Sequence, residues 1–184
     1  MKKFTALLIA TVMMLASLTG CTNAVYDDFQ NFLNVEMVEV NANYDKLLEE
    51  LAVWDTLEYD AEIAEFIKAS LIPLVDDSLA KLTKINPETV EVQEIKAKYV
   101  KVMEAYKAAF DDMYTAFSTG DEAVLEEGNA HLDEGMVLLD EYNAALEALA
   151  AEVELAKAEL GEATYTVEDV LALIDSLVAK VEAR

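Results

Sequence analysis

The sequence predicts an all-α fold, an antiparallel up-down bundle of four long helices with a short fifth helix at the C-terminus. Three observations carry this reading. Only five glycines and two prolines occur in 184 residues. Ala, Leu, Glu and Lys are abundant, and all four favour helix. Apolar residues recur at alternating spacings of three and four, and no stretch alternates apolar with polar for long enough to make a strand.

The first helix is expected from about Val25 to Trp54. Its seam is Leu33, Met37, Val40, Tyr44, Leu47, Leu51 and Trp54, stepping by four and three in turn. Asp55-x-x-Glu58 fits a capping box, so a second helix is expected from about Glu58 to Thr83, through Ile63, Ile67, Leu71, Leu74 and Leu82. Pro73 falls in its middle. A proline there removes a backbone donor and clashes with the Ala69 carbonyl, which predicts a kink or a break. Asn86-Pro87-Glu88 reads as the N-cap, first position and first-turn acid of a third helix. Its seam is Val92, Ile95, Tyr99, Met103, Tyr106, Phe110, Met113 and Phe117. Thr119-Gly120-Asp121 closes it and opens the fourth helix.

That fourth helix has the most regular seam: Leu125, Gly128, Leu132, Gly135, Leu139, Tyr142, Leu146, Leu149, Val153, Ala156 and Leu160. A sustained 3.5-residue period implies left-handed, bundle-like packing. About forty residues at 1.5 Å each make a rod of roughly 60 Å. Gly161 ends it. Thr166-x-x-Asp169 caps the short last helix, which carries Val167, Val170, Ile174, Leu177 and Val181 on one face. Short connections make antiparallel neighbours the expected arrangement. No repeat or second domain is visible.

Residues 1–20 differ from the rest. Lys2 and Lys3 precede a mostly apolar run from Phe4 to Leu18, and no acid occurs before Asp27. This is the pattern of a secretory signal, and the run is short for a membrane span. The tetrapeptide Leu18-Thr19-Gly20-Cys21 then resembles the lipobox of bacterial lipoprotein signals. The resemblance implies a diacylglyceryl group, palmitate among its acyl chains, on the Cys21 thiol and cleavage between Gly20 and Cys21. It divides the chain into a signal peptide (1–20), a lipidated cysteine with a short tether (21–24) and a helical domain (25–184). Cys21 is the sole cysteine, so no disulfide forms within the chain. The expected location is the extracytoplasmic face of the membrane. Thr22 is not the Asp of inner-membrane retention, which favours the outer membrane in a host that has one. The helical part resembles, in pattern alone, the small uncharacterised helical-bundle lipoproteins of Gram-positive surfaces.

Cleavage would leave 11 basic against 37 acidic residues, a formal charge of −26. Such a chain is not expected to bind nucleic acid, and polybasic attraction to anionic lipid is not expected either. Membrane lipid is expected to be engaged through the acylated cysteine. The bundle is expected to project from the surface, its charge repelled over a Debye length of ~8 Å.

Four features bear on function. Glu126, Asp133, Asp140, Glu147 and Glu154 recur every seven residues, with Glu127, Glu134 and Glu141 beside them, flanking Ala130, Ala144, Ala151 and Ala158. This is a solvated face or a dock for a cationic partner or divalent cation, without the loop of an EF-hand. Gly128 and Gly135 lie on the seam, where each costs about 1 kcal/mol relative to Ala. In a hairpin about Gly120, facing residue numbers sum to about 242, which sets Phe117 against Leu125, Met113 or Tyr114 against Gly128, Phe110 against Leu132, and Tyr106 against Gly135. Large-against-small packing accounts for both glycines, and a ligand groove of Gly128, Gly135, Tyr106 and His131 is the alternative. His131 is the sole histidine, and Met37 lies on the first seam. One His and one Met resemble the haem ligands of periplasmic four-helix cytochromes, but a histidine at the seam's edge needs no such role. Tyr44, Tyr99, Tyr106 and Tyr142 are expected in the core, their hydroxyls at the rim or on one another.

Paired Glu-x-x-His, a catalytic triad, a phosphate loop and a dinucleotide fingerprint do not occur. The reading is a membrane-anchored, non-enzymatic binding or interaction module without cofactor, partnered by an envelope protein or a cationic ligand. The alternative is a bundle that binds a hydrophobic small molecule or haem.

Overall fold

A computed structural model describes residues 22–54 and 56–160, with side chains over 24–54 and 56–154. No strand occurs among the described residues. α1 (Thr22–Asn31) runs through a π-turn (Phe32–Glu36) into α2 (Val38–Trp54). α3 (Asp60–Phe66) runs through a second π-turn (Ile67–Leu71) into α4 (Ile72–Leu82). α5 (Val90–Thr119) and α6 (Glu122–Leu160) are uninterrupted. The expected fifth helix lies outside the described residues.

Side-chain contacts give each rod its direction. Asn43 on α2 donates to Asp77 Oδ2 on α4 at 2.7 Å, and Glu39 pairs with Lys81 at 3.6 Å, so these rods are antiparallel. Lys107 on α5 meets Asp76 at 2.9 Å, and Lys68 lies 5.5 Å from the Tyr114 ring centroid, so the second and third rods are antiparallel. Tyr99 meets Tyr142, and Asp112 meets His131, which makes α5 and α6 a hairpin. Asp28 reaches Thr89, and Trp54 stands edge-on to Phe117 with centroids 5.9 Å apart. The first and third rods are therefore parallel, as diagonal partners of an up-down-up-down bundle must be. The core is continuous, with Phe29, Phe32, Met37, Ile67, Leu71, Leu82, Met103 and Phe110 fully buried. Each contributes about 1.5–3 kcal/mol of burial.

The two π-turns correct the seams. Buried apolar positions on the first rod are Tyr26, Phe29, Phe32, Met37, Val40, Tyr44 and Leu47, with a step of five between Phe32 and Met37. Met37 N–H donates to Phe32 O at 2.9 Å, closing the wider turn. The extra residue turns Phe32 inward and leaves Leu33, where a step of four would land, only half-buried. On the second rod Val75 replaces Leu74 in the core for the same reason. Ile72 N–H reaches back five residues to Ile67 O just before Pro73. The rod is thus not broken at Pro73. A proline lacks the donor for an ordinary turn, and a wider turn just ahead of it accommodates that loss.

Two helix starts also differ from expectation, and the first helix already includes residues 22–24. No proline or glycine stands there to stop it. The Asp55 to Glu58 capping box does not start α3. Tyr59 holds the extended N-cap geometry, and the Thr56 hydroxyl turns back to Val53 O at 2.7 Å. Asp55 itself lies outside the described residues. α5 begins at Val90 with Thr89 extended at its N-cap, so Asn86 and Pro87 belong to the preceding turn. What holds that turn is remote in sequence. The buried Asp28 carboxylate accepts from Glu88 N at 3.1 Å, Thr89 N at 2.8 Å and Thr89 Oγ1 at 2.6 Å. At the other end, Gly120 adopts φ 72° and donates to Ala116 O at 2.7 Å, the left-handed C-cap that glycine favours. Asp121 Oδ1 then accepts from Ala123 N at 3.0 Å and opens α6.

Candidate functional site

The α5–α6 hairpin positions most of the residues singled out by the sequence. Its register follows from the Gly120 turn and the regular seam of α6. A Cβ built on Gly128 would stand 3.0 Å from Met113 Cγ and 3.2 Å from Ala109 O. A Cβ on Gly135 would stand 2.5 Å from Tyr106 Cε1. Both glycines are buried, and the space beside Gly135 is taken by the Tyr106 ring. Gly135 and Tyr106 therefore come together as complementary shapes. His131 lies at the hairpin's edge, half-exposed, with Nδ1 2.8 Å from Asp112 Oδ2. It does not meet Met37. Met37 sits seven residues before Tyr44, which pairs with Tyr106, and His131 sits beside Asp112, six residues beyond Tyr106. The two are separated by roughly 20 Å along the bundle at 1.5 Å per residue.

The four tyrosines converge in the core. The Tyr99 and Tyr142 rings are 4.7 Å apart, tilted by 47°. The Tyr44 and Tyr106 hydroxyls share a hydrogen bond. Burial raises all four phenols above their ordinary value of 10.0. For Tyr99 the neighbouring phenols Tyr142, Tyr44 and Tyr106 add to the effect of burial. For Tyr44 the hydrogen bond from Tyr106 partly offsets it. The arrangement stores neutral phenols in an apolar layer and presents no deprotonated oxygen near neutral pH.

Other buried polar groups are occupied by the fold. Asn43 donates to Asp77 and, at 3.3 Å, to Ser78, whose hydroxyl donates to Leu74 O at 2.8 Å. Lys81 pairs with Asp77 and so closes this cross-link on the surface. Its ammonium and the Asn43 amide hold the Asp77 carboxyl below its ordinary value. Glu36 Oε2, in the first π-turn, is buried without a hydrogen-bond partner. Among the described residues no group of three or more metal-ligating side chains assembles.

No family model matches this chain, and no curated protein or solved structure matches it.

The acidic face of α6 is where the seven-residue repeat puts it. Glu126, Asp133, Asp140 and Glu147 are exposed, as are Glu127, Glu134 and Glu141, with Ala130 and Ala144 between the rows. Gly20 and Cys21 lie outside the described residues. Sequence reasoning missed Asp28, whose partners are some sixty positions away and leave no local signal. It also missed an open depression of about 620 Å³ beside the Asn86–Pro87 turn, lined by Gln93, Lys96 and Lys101. A local charge count would have pointed there, since residues 81–107 hold six lysines against four glutamates.

Proposed function

We propose that this chain is a membrane-anchored extracytoplasmic lipoprotein whose bundle is a non-enzymatic binding module of the cell envelope. The observation that carries the reading is the tetrapeptide Leu18-Thr19-Gly20-Cys21 behind a basic start and an apolar run. Two further observations support it. No helix among the described residues is long and apolar enough to cross a membrane, and an acylated Cys21 would attach the chain without one. The buried polar side chains Asp28, Asn43 and Ser78 are each engaged in contacts between rods or turns. The exposed acidic rows of α6 are the surface for a basic partner.

Growth of cells expressing the full chain with an alkyne fatty acid tests the anchor. The chain should take up label, and the mature form should begin at an acylated Cys21. Cys21→Ala should abolish both label and cleavage. Labelling that persists in Cys21→Ala, or an unmodified Cys21 in the mature protein, overturns the reading.

A further inference from the structure

We propose that the depression between the Asn86–Pro87 turn and the outer face of α5 is a binding site for a phosphate-bearing ligand. Its volume, about 620 Å³, falls within the range of small-molecule sites. Four polar side chains with hydrogen-bond donors line it: Asn86, Gln93, Lys96 and Lys101. Pro87, Ala97 and Val100 supply an apolar floor, and Glu104 stands one turn beyond Lys101. Phosphate presents several strong acceptor oxygens, and two ammonium groups beside two amides match that demand.

The charge distribution supports the assignment. The chain as a whole carries −24, yet residues 81–107 hold six lysines against four glutamates. The outer two of these lysines are neutralised, Lys81 by Asp77 and Glu39, Lys107 by Asp76 and Asp111. Lys96 and Lys101 have no carboxylate within 4.0 Å among the described residues. In a chain with 37 acids, two lysines of one concavity are left to meet something else.

The donors are also held in place. Lys96 Nζ donates to Ile85 O at 2.6 Å, Gln93 Nε2 to Pro87 O at 2.9 Å and Asn86 Nδ2 to Lys84 O at 2.9 Å. Each nitrogen keeps at least one further N–H, and Lys96 keeps two. The turn's own carbonyls therefore fix three donors before any ligand arrives, which lowers the ordering cost of binding.

The position of the site suggests where the phosphate comes from. Asp28 holds the turn at Glu88 and Thr89, and it is seven residues after Cys21. The six helical steps from Thr22 to Asp28 span about 9 Å, and Cys21 adjoins Thr22 in the chain. A phospholipid headgroup would therefore be close at hand for an anchored chain, and a soluble phosphate ester shares its chemistry. The site itself does not depend on the anchor; only the lipid source does.

Amide and side-chain NMR of the full chain tests this. One arm titrates glycerol 3-phosphate into the chain in maltoside micelles. The other compares nanodiscs of phosphatidylcholine with nanodiscs containing phosphatidylglycerol. Saturable shifts at Gln93, Ala97 and Lys101 are expected. Lys101→Gln should weaken binding about tenfold, the loss of one charge-assisted contact, with an unchanged melt. Lys96→Gln should weaken it too, and Lys98→Gln, outside the depression, should not. Response to glycerol 3-phosphate alone supports the site with a soluble ligand. Response to phosphatidylglycerol supports it with a lipid headgroup. No saturable shift in either arm, or equal weakening by Lys98→Gln, overturns the proposal.

Discussion

At Gly135 two opposing effects meet in one side chain. Replacing glycine by alanine inside a helix gains about 1 kcal/mol of propensity. Here the new methyl would stand 2.5 Å from Tyr106 Cε1 and 2.6 Å from Cδ1, and that ring is buried. That buried ring must shift to admit the methyl, so overpacking of about 1–3 kcal/mol wins. Thermal melts should show Gly135→Ala less stable than the parent, with Tyr106→Leu restoring part of the loss in the double variant. A neutral Gly135→Ala would mean the two rods separate more readily than their packing implies. Asp28 is decided by a different balance. Removing its carboxylate leaves the Glu88 and Thr89 donors without their acceptor. Asp28→Ala should cost about 1–3 kcal/mol in denaturant melts, and Asp28→Asn less, since one oxygen remains. Equal stability of all three proteins would show that water replaces the carboxylate.

At the scale of elements, the rods and their order were legible because apolar spacing is a local property. The hairpin pairs were legible too, since a glycine turn and a strict seam leave one register. Tyr106 against Gly135 follows from adding residue numbers. The π-turns were not legible. Met37 minus four lands on Leu33, and only the wider turn explains why Phe32 is fully buried. The start of α5 was misplaced because Asn86 and Pro87 have the local marks of a cap, while the observed arrangement answers to Asp28 on another rod. Covering along α6 is uneven in a way periodicity cannot register. Leu125, Leu132 and Leu139 are half-buried, whereas Tyr142, Leu146, Leu149 and Val153 are buried. α1 packs against α6, and α5 accompanies it along the hairpin. Hydrogen exchange should therefore be faster over Glu122–Leu139 than over Tyr142–Val153. Uniform protection along the helix would contradict this difference in cover.

For the whole molecule, the tyrosine layer sets the response to alkali. Folded phenols at Tyr44, Tyr99, Tyr106 and Tyr142 hold their protons above the ordinary value of 10.0. Above about pH 10 the unfolded chain loses protons that the folded chain keeps, so stability falls with rising pH. Their contribution is intact below that pH and is lost progressively above it. Each such phenol adds a slope of about 1.4 kcal/mol per pH unit while the two states differ. Denaturant melts should lose stability steeply from about pH 10 upward, and tyrosinate absorbance from these four residues should appear together with loss of helix. Tyrosinate absorbance from these four residues in a chain still folded would show the layer open to solvent. The long-range field of −24 acts separately, and it is uneven along the chain, since residues 81–107 hold six lysines against four glutamates.

The first π-turn also bears on how much the length of the chain can change. Between Phe32 and Met37 the first rod carries one residue more than an ordinary helix needs to keep both side chains inward. Asn34 is exposed within that stretch, its amide bonded only to Gln30. Loss of its codon would bring Phe32 and Met37 to a spacing of four, with every core residue on its original face. Loss of the Lys98 codon, in a stretch with no residue to spare, would rotate everything beyond it by about 100° and bring Glu104 and Lys107 to the buried positions of Met103 and Tyr106. A scan of in-frame single-codon deletions should thus give a soluble, cooperatively melting protein at Asn34 and none at Lys98.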